Sequence, residues 1–160
     1  MHPTKNDLSP KVRKRVIDTL ADRLADATDV MLQTKQAHWN VKGPSFIALH
    51  ELFDKINGAA QEWVDLIAER TVQLGGTAEG TLQAAVKRTS MKPYALTIVS
   101  GKDHVEALSS ALASFGKKVR AAIDKTGKAG DADTADLFTE VSRDVDKYLW
   151  FVEAHNQSKE

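Results

Sequence analysis

The 160-residue sequence contains no cysteine. Disulfide bonds and thiolate metal ligation are therefore excluded, and the absence fits a reducing compartment. There is no net charge either: 22 basic residues balance 22 acidic ones, so bulk electrostatics offer no field to draw in nucleic acid or an anionic membrane. No apolar run approaches the roughly 20 residues that a membrane span needs, and the polar stretch Met1 to Leu8 has nothing of a signal peptide. These absences predict a cytoplasmic protein without membrane association. No strand pattern, internal repeat or low-complexity run competes with a helical reading. At this length the chain is read as one domain with room for a good core.

What is present is helical periodicity. Ser9-Pro10 supplies an N-cap and a proline at the first helical position. The helix they start is expected to run to about Val41, with Val12, Val16, Leu20, Leu24, Ala27 and Met31 as its apolar stripe. A second helix is expected from Ser45 to Leu74, a run with no proline and one glycine, ended by Gly75-Gly76. The next 25 residues read as a crossover in which Leu82 to Arg88 forms one or two helical turns. Ser100 and Asp103 make an acidic variant of a capping box for a third long helix, expected to end near Asp124. Gly127 to Gly130 reads as a turn. Asp131 or Asp133 caps the last helix, whose stripe is Leu137, Val141, Val145, Leu149 and Val152. Four helices joined by one long crossover describe an all-α four-helix bundle of ferritin-like topology. The expected organisation is a short polar N-terminal tail over residues 1–8, the bundle over 9–156 and a C-terminal tail over 157–160.

The chemistry concentrates between Lys35 and Gly76. His50 and Asp54 are four residues apart, and so are Asp65 and Glu69, which puts each pair on one helix face. At 100° per residue Asp54 and Asp65, 11 residues apart, are only about 20° out of phase, so the pairs share a stripe. Their centres lie roughly 22 Å apart at 1.5 Å per residue, while metal–ligand bonds are near 2 Å. One ion cannot be held by both pairs of one chain. Cooperation demands a second copy with this helix antiparallel, so that a two-fold axis sets His50 and Asp54 against the partner's Asp65 and Glu69. His38 stands five residues before Gly43-Pro44 and His50 six after Pro44, so an antiparallel hairpin brings them to similar heights. Two imidazoles and three carboxylates suit iron, manganese or zinc. The competing reading is a set of solvated i,i+4 pairs, and for Asp65 and Glu69 taken alone that is the commoner outcome.

Other signals carry less. His50-Glu51-Leu52-Phe53-Asp54 is a partial match to the zincin motif and lacks a third ligand in register. The E-x-x-H pairs of in-bundle di-iron proteins are absent, because Val72 follows Glu69 by three and Arg143 follows Glu140 by three. Asp131, Asp133, Asp136, Glu140 and Asp144 gather at the start of the last helix. Capping and the helix dipole explain the first two or three of them, and a cation-entry pore is the alternative. His2, His104 and His155 have no partners at useful spacing and are expected on the surface. Trp39, beside His38, reads as packing or as an oxidisable neighbour of a redox metal.

The stretches KQAHWNVKGPSFIALHELFD, AERTVQLGG and TADLFTEVSRDVDKYLWFVEAH resemble the Dps proteins (DNA-binding proteins from starved cells), the bacterial mini-ferritins. The pattern H-x(11)-H-x(3)-D-x(10)-D-x(3)-E is matched at every position, and the resemblance runs from about Leu8 to His155. It implies a hollow homo-dodecamer with ferroxidase centres at two-fold interfaces. His38, His50 and Asp54 come from one chain, and Asp65 and Glu69 from the two-fold partner. It implies an enzyme that oxidises Fe(II), typically with hydrogen peroxide, and stores ferric mineral, protecting cell and DNA from oxidative damage; zinc or manganese can substitute for iron. The alternative is a nucleoid protein that mainly compacts DNA, with secondary iron chemistry. The sequence departs from the family's lysine-rich tails: its N-terminal tail is short and its C-terminus is Lys159-Glu160. Lys5, Lys11, Arg13, Lys14 and Arg15 are the candidate DNA contacts, and binding is expected to be weak. Nucleoid association follows only if DNA is bound.

Overall fold

The computed structural model describes residues 1–158; Lys159 and Glu160, the end of the expected C-terminal tail, lie outside them. Its elements are α1 (Pro10–Asn40), α2 (Phe46–Gln73), the short α3 (Leu82–Arg88), α4 (Gly101–Ala129) and α5 (Ala132–Glu153). Among the described residues no helix is long and apolar enough to cross a membrane.

The caps fall where the sequence chemistry puts them. Ser9 Oγ accepts from the Val12 amide, Thr81 from Ala84, Ser100 from Asp103 and Asp131 from Thr134. One boundary differs: α4 continues through Gly127 to Ala129 and stops at Gly130, whose φ of 95° makes it the left-handed C-cap. The expected four-residue turn is thus one capping glycine. The helix continues because Thr126 is buried and bonds back to the Ala122 carbonyl, holding that turn against the core.

Contacts between the ends set the topology. Lys42, in the α1–α2 turn, pairs with Ser100 in a parallel bridge, so α4 starts where α1 ends. Arg70 near the end of α2 bonds to Asp131 at the start of α5, and Asn156 reaches the Lys102 carbonyl. Each long helix is therefore antiparallel to both neighbours, and the crossover returns the chain along the bundle's length. It is stitched to α1 by Asp26, which is buried and accepts from the Ser90 amide at 2.7 Å, and by Gln33, which donates to the Lys92 carbonyl. The centre is a continuous apolar layer in which Trp63 packs on Phe115, ring centroids 5.8 Å apart, with Phe53, Phe138, Leu20 and Leu112 fully buried around them.

The N-terminal segment is not a loose tail. The His2 amide donates to the Gly75 carbonyl at 2.7 Å. Gly75 has φ of 85°, and a Cβ there would meet the His2 oxygen at 2.5 Å, so both conformation and space demand glycine. Arg13 is buried and donates to the carbonyls of Leu8 and Leu74. A cation in the first turn of α1 opposes that helix's own dipole, yet it sits at the negative C-terminal end of the antiparallel α2.

Candidate metal centre

His38 lies in the last turn of α1 and His50 in the second turn of α2, on either side of the short Val41–Ser45 turn. Their imidazoles stack with centroids 3.7 Å apart and planes 21° from parallel. His38 Nδ1 lies 2.7 Å from the His50 carbonyl, and His50 Nδ1 lies 2.9 Å from the His38 carbonyl. A carbonyl only accepts, so each Nδ1 carries the hydrogen. In its neutral form each ring thus has its free lone pair on Nε2, the tautomer a metal ligand needs, with its orientation held by a backbone partner. Phe46 closes one side of the stack, 5.1 Å from the His50 ring.

Asp54 stands one turn beyond His50 and is exposed. Lys35 forms an ion pair with its carboxylate. That hydrogen bond holds the Asp54 carboxyl below its usual range; partial desolvation opposes it, and the Lys35 charge reinforces it, joined by those of His38 and His50 when their rings are protonated. An ammonium thus stands where a metal cation would have to compete for this oxygen. Lys35 was legible in principle, since it lies three residues before His38 on α1 and Asp54 four after His50 on α2, and equal heights in a hairpin pair them.

Asp65 and Glu69 are exposed further along the same face of α2, and among the described residues neither has an ion-pair partner. Glu69 borders a shallow depression with Ala68, Val72, Gln73 and Ala78. Among the described residues of one chain, no group of three or more histidines and carboxylates converges closely enough to hold a metal ion. The chain brings His38, His50 and Asp54 to one end of α2 and leaves Asp65 and Glu69 apart from them. Apolar side chains are exposed beside both groups: Trp39 and Ile47 near the first, Val72 near the second.

Three expectations are corrected by burial. Asp131 is only 2% exposed: it caps α5 and accepts two hydrogen bonds from Arg70, so its carboxylate does not face a pore. Asp133 and Asp136 are exposed. Arg13 is committed to two carbonyls, as above, and is unavailable to a phosphate, whereas Lys5, Lys11, Lys14 and Arg15 are exposed. His104, expected on the surface, is 1% exposed, with Nδ1 2.7 Å from the Tyr94 hydroxyl. Its partner lies ten residues earlier in the crossover, a spacing no helical periodicity reveals. His2 and His155 are exposed.

Residues 17–159 match the family model of the ferritin-like domain. A relative from Agrobacterium fabrum (strain C58), named DNA protection during starvation protein, is 50% identical over 158 residues, covering 99% of this chain and 98% of its own length. A protein of the same name from Mycolicibacterium smegmatis is 32% identical, covering 94% and 82%. Among solved structures, DpsA14 from Streptomyces coelicolor superposes with a TM-score of 0.92 at 35% identity, covering 97% of this chain and 92% of its own. Dps from Microbacterium arborescens, solved in a high-iron form, gives 0.86 at 32% identity, covering 94% and 97%.

Proposed function

The chain belongs to the Dps family of ferritin-like proteins, and from that premise we propose that it is a ferroxidase and iron-storage shell that limits oxidative damage to the cell and its DNA. The observation that carries this reading is the divided donor set: two histidines locked with Nε2 free beside Asp54, and two carboxylates on the same stripe of α2 that have no ion-pair partner among the described residues. A second copy with α2 antiparallel completes the set twice per dimer, and the exposed apolar residues flanking both groups supply area for it. Six such dimers close a hollow dodecamer in this reading.

Fe(II) is the substrate. His50, Asp54 and the partner's Glu69 bind one ion, and His38 with the partner's Asp65 bind a second, directly or through water. Mixed imidazole and carboxylate donors accept both Fe(II) and Fe(III). Hydrogen peroxide takes two electrons, one from each ion, and leaves as water, so a paired site avoids the one-electron step that releases hydroxyl radical. Zinc and manganese are competing occupants of the same donors.

Lys35 must yield Asp54 before a metal takes it, and its charge keeps that carboxylate ionised and ready. Ferric product moves to the cavity, and exposed Asp133 and Asp136 are the remaining acidic candidates for cation entry. DNA contact is a secondary property, through Lys5, Lys11, Lys14 and Arg15, and the protein works in the cytoplasm. Fe(II) soaked into crystals of the assembled protein tests the reading. Anomalous density between His50, Asp54 and the partner's Glu69 is the expected result, and density elsewhere overturns it.

A further inference from the structure

One pair, half-buried Tyr94 and buried His104, has no part in the chemistry above. Tyr94, in the crossover, points its hydroxyl at Nδ1 of His104 at 2.7 Å, and the two rings lie nearly parallel at 16° with centroids 6.0 Å apart. His104 is buried in the first turns of α4, and among the described residues its Nε2 has no hydrogen-bond partner. The other aromatic neighbour of His104 is Phe53, 6.5 Å away between centroids, which directly precedes Asp54 on α2. The backbone of Asn40, two residues beyond His38, lies against the imidazole as well. His104 therefore stands between Tyr94 and the ends of α1 and α2 that carry His38, His50 and Asp54.

We propose that Tyr94 and His104 form a proton-coupled electron donor serving the metal centre, in which Tyr94 gives an electron to a one-electron oxidant of the hydroxyl-radical class while its phenolic proton passes to His104 Nδ1. The inference rests on the iron-oxidising reading for the source of that oxidant. When peroxide meets a centre holding a single Fe(II), only one electron is at hand, and the O–O bond breaks to hydroxide and a hydroxyl radical. The electron from Tyr94 reduces that radical to a second hydroxide. The phenolic O–H bond breaks, an N–H bond forms at Nδ1, and a neutral phenoxyl radical stands beside an imidazolium. A later Fe(II) returns the electron, becoming Fe(III), and the proton moves back from His104 to the phenol.

The surroundings suit both partners. A phenol is a far stronger acid than a neutral imidazole N–H, so the hydroxyl donates and Nδ1 accepts. Burial holds the phenol well above its ordinary range, which keeps the proton in place until an electron leaves. Burial also pushes His104 below its ordinary value, opposed by the Asn40 backbone, the Asp103 carboxylate and the Ile98 backbone. The imidazole thus waits as a neutral base. Tyr148, the only other tyrosine in the sequence, offers a contrast. The Lys147 ammonium stands 4.5 Å over its ring, which disfavours a hole there, and among the described residues its hydroxyl has no hydrogen-bonded base.

The test uses the assembled protein. Protein given less Fe(II) than its centres can hold is mixed with peroxide and freeze-quenched for electron paramagnetic resonance. The expected signal is a tyrosyl radical that narrows with ring-deuterated tyrosine, persists in Tyr148→Phe and is lost in Tyr94→Phe and in His104→Gln. Glutamine keeps an acceptor for the hydroxyl but no basic nitrogen. A signal unaffected by tyrosine deuteration, or one that survives Tyr94→Phe, overturns the proposal. Flash-quench photo-oxidation of iron-free protein by a ruthenium complex and persulfate separates the pair from the centre. There the base should speed Tyr94 oxidation by about a hundredfold over His104→Gln. Equal rates overturn the proton transfer, and fast photo-oxidation with no tyrosyl signal during active Fe(II) oxidation overturns the link to the centre. If iron is not oxidised at all, the functional reading fails, and the photochemical arm still decides the pair.

Discussion

His38 and His50 hold each other: each imidazole donates from Nδ1 to the backbone carbonyl of the other, at 2.7 and 2.9 Å, with the rings stacked 3.7 Å apart. Neither orientation is set independently, because each residue supplies both a ligand and the support of its neighbour. Losing such a support typically costs about 10–100-fold in metal affinity. His38→Ala should therefore weaken the site that His50 serves as well as its own. Titration of Co(II) or Zn(II) into the assembled protein should show His38→Ala and His50→Ala each reducing affinity, with the double variant much less than the product of the two. Strictly multiplicative losses would show that the rings act independently.

A centre divided between chains can be tested by complementation. His50→Ala spoils the histidine half and Glu69→Ala the carboxylate half, and each alone should slow Fe(II) oxidation at least about tenfold. In a mixed dimer one centre carries both defects and the other carries neither. Random reassembly of equal amounts should thus restore about a quarter of wild-type centres, since half the dimers are mixed and one of their two centres is intact. Stopped-flow oxidation of co-refolded protein measures this, and no recovery would mean that the two halves do not meet across a dimer.

How legible the site was in the sequence follows from which interactions are periodic. The i,i+4 pairs and the hairpin heights of His38 and His50 are consequences of helix geometry, so sequence spacing was enough to find them. The capping serines and Asp131 were legible for the same reason. The buried ion pair of Asp131 and the burial of Arg13 and His104 were not legible, because their partners, Arg70, Leu74 and Tyr94, are set by tertiary packing or by an irregular crossover. A charged residue reads as solvent-facing until its counter-group is known, and Arg70 lies 61 residues from Asp131.

Gly58 gives a further handle on the interface. A mid-helix glycine costs about 1 kcal/mol relative to alanine, yet a Cβ at Gly58 would meet nothing within 4 Å in this chain. In the register that sets Asp54 against the partner's Asp65, Gly58 falls against the partner's Gln61, close to the two-fold axis. Close approach of the two α2 helices there would account for it. Gly58→Leu should leave helix content intact by circular dichroism while weakening the dimer and lowering metal affinity. Unchanged metal affinity with a stabler fold would show that nothing packs there.

The acidic residues at the start of α5 should separate by burial. Asp131→Asn keeps an N-cap but removes the buried counter-ion of Arg70, leaving it only exposed Asp133 at 4.0 Å, and breaking such a buried pair costs about 3 kcal/mol. Urea unfolding should show that loss. Asp133→Asn with Asp136→Asn should change stability by less than about 0.5 kcal/mol. If these two line an entry route, the pair of substitutions should slow mineral growth more than the first oxidation turnover. Equal slowing of both steps, or of neither, leaves them as ordinary surface carboxylates.

DNA binding should be weak and steeply salt-dependent. Lys5, Lys11, Arg13, Lys14 and Arg15 against Asp7 give the first 15 residues a net charge of +4, but Arg13 is spent on the Leu8 and Leu74 carbonyls. The segment before α1 is held too, by the bond from His2 to Gly75, so Lys5 is carried on an anchored strand. What remains on each chain is a small fixed patch, and only its repetition over an assembly gives measurable avidity. Phosphate contacts release counterions, so affinity should fall sharply between about 50 and 150 mM salt, with little sequence preference. Arg13→Ala should loosen the N-terminal segment, read as faster amide exchange at residues 2–8. If anchoring limits reach, the same change should strengthen the gel shift at low salt despite removing a positive charge. A weaker shift in proportion to the lost charge would show that Arg13 contacts phosphate after all.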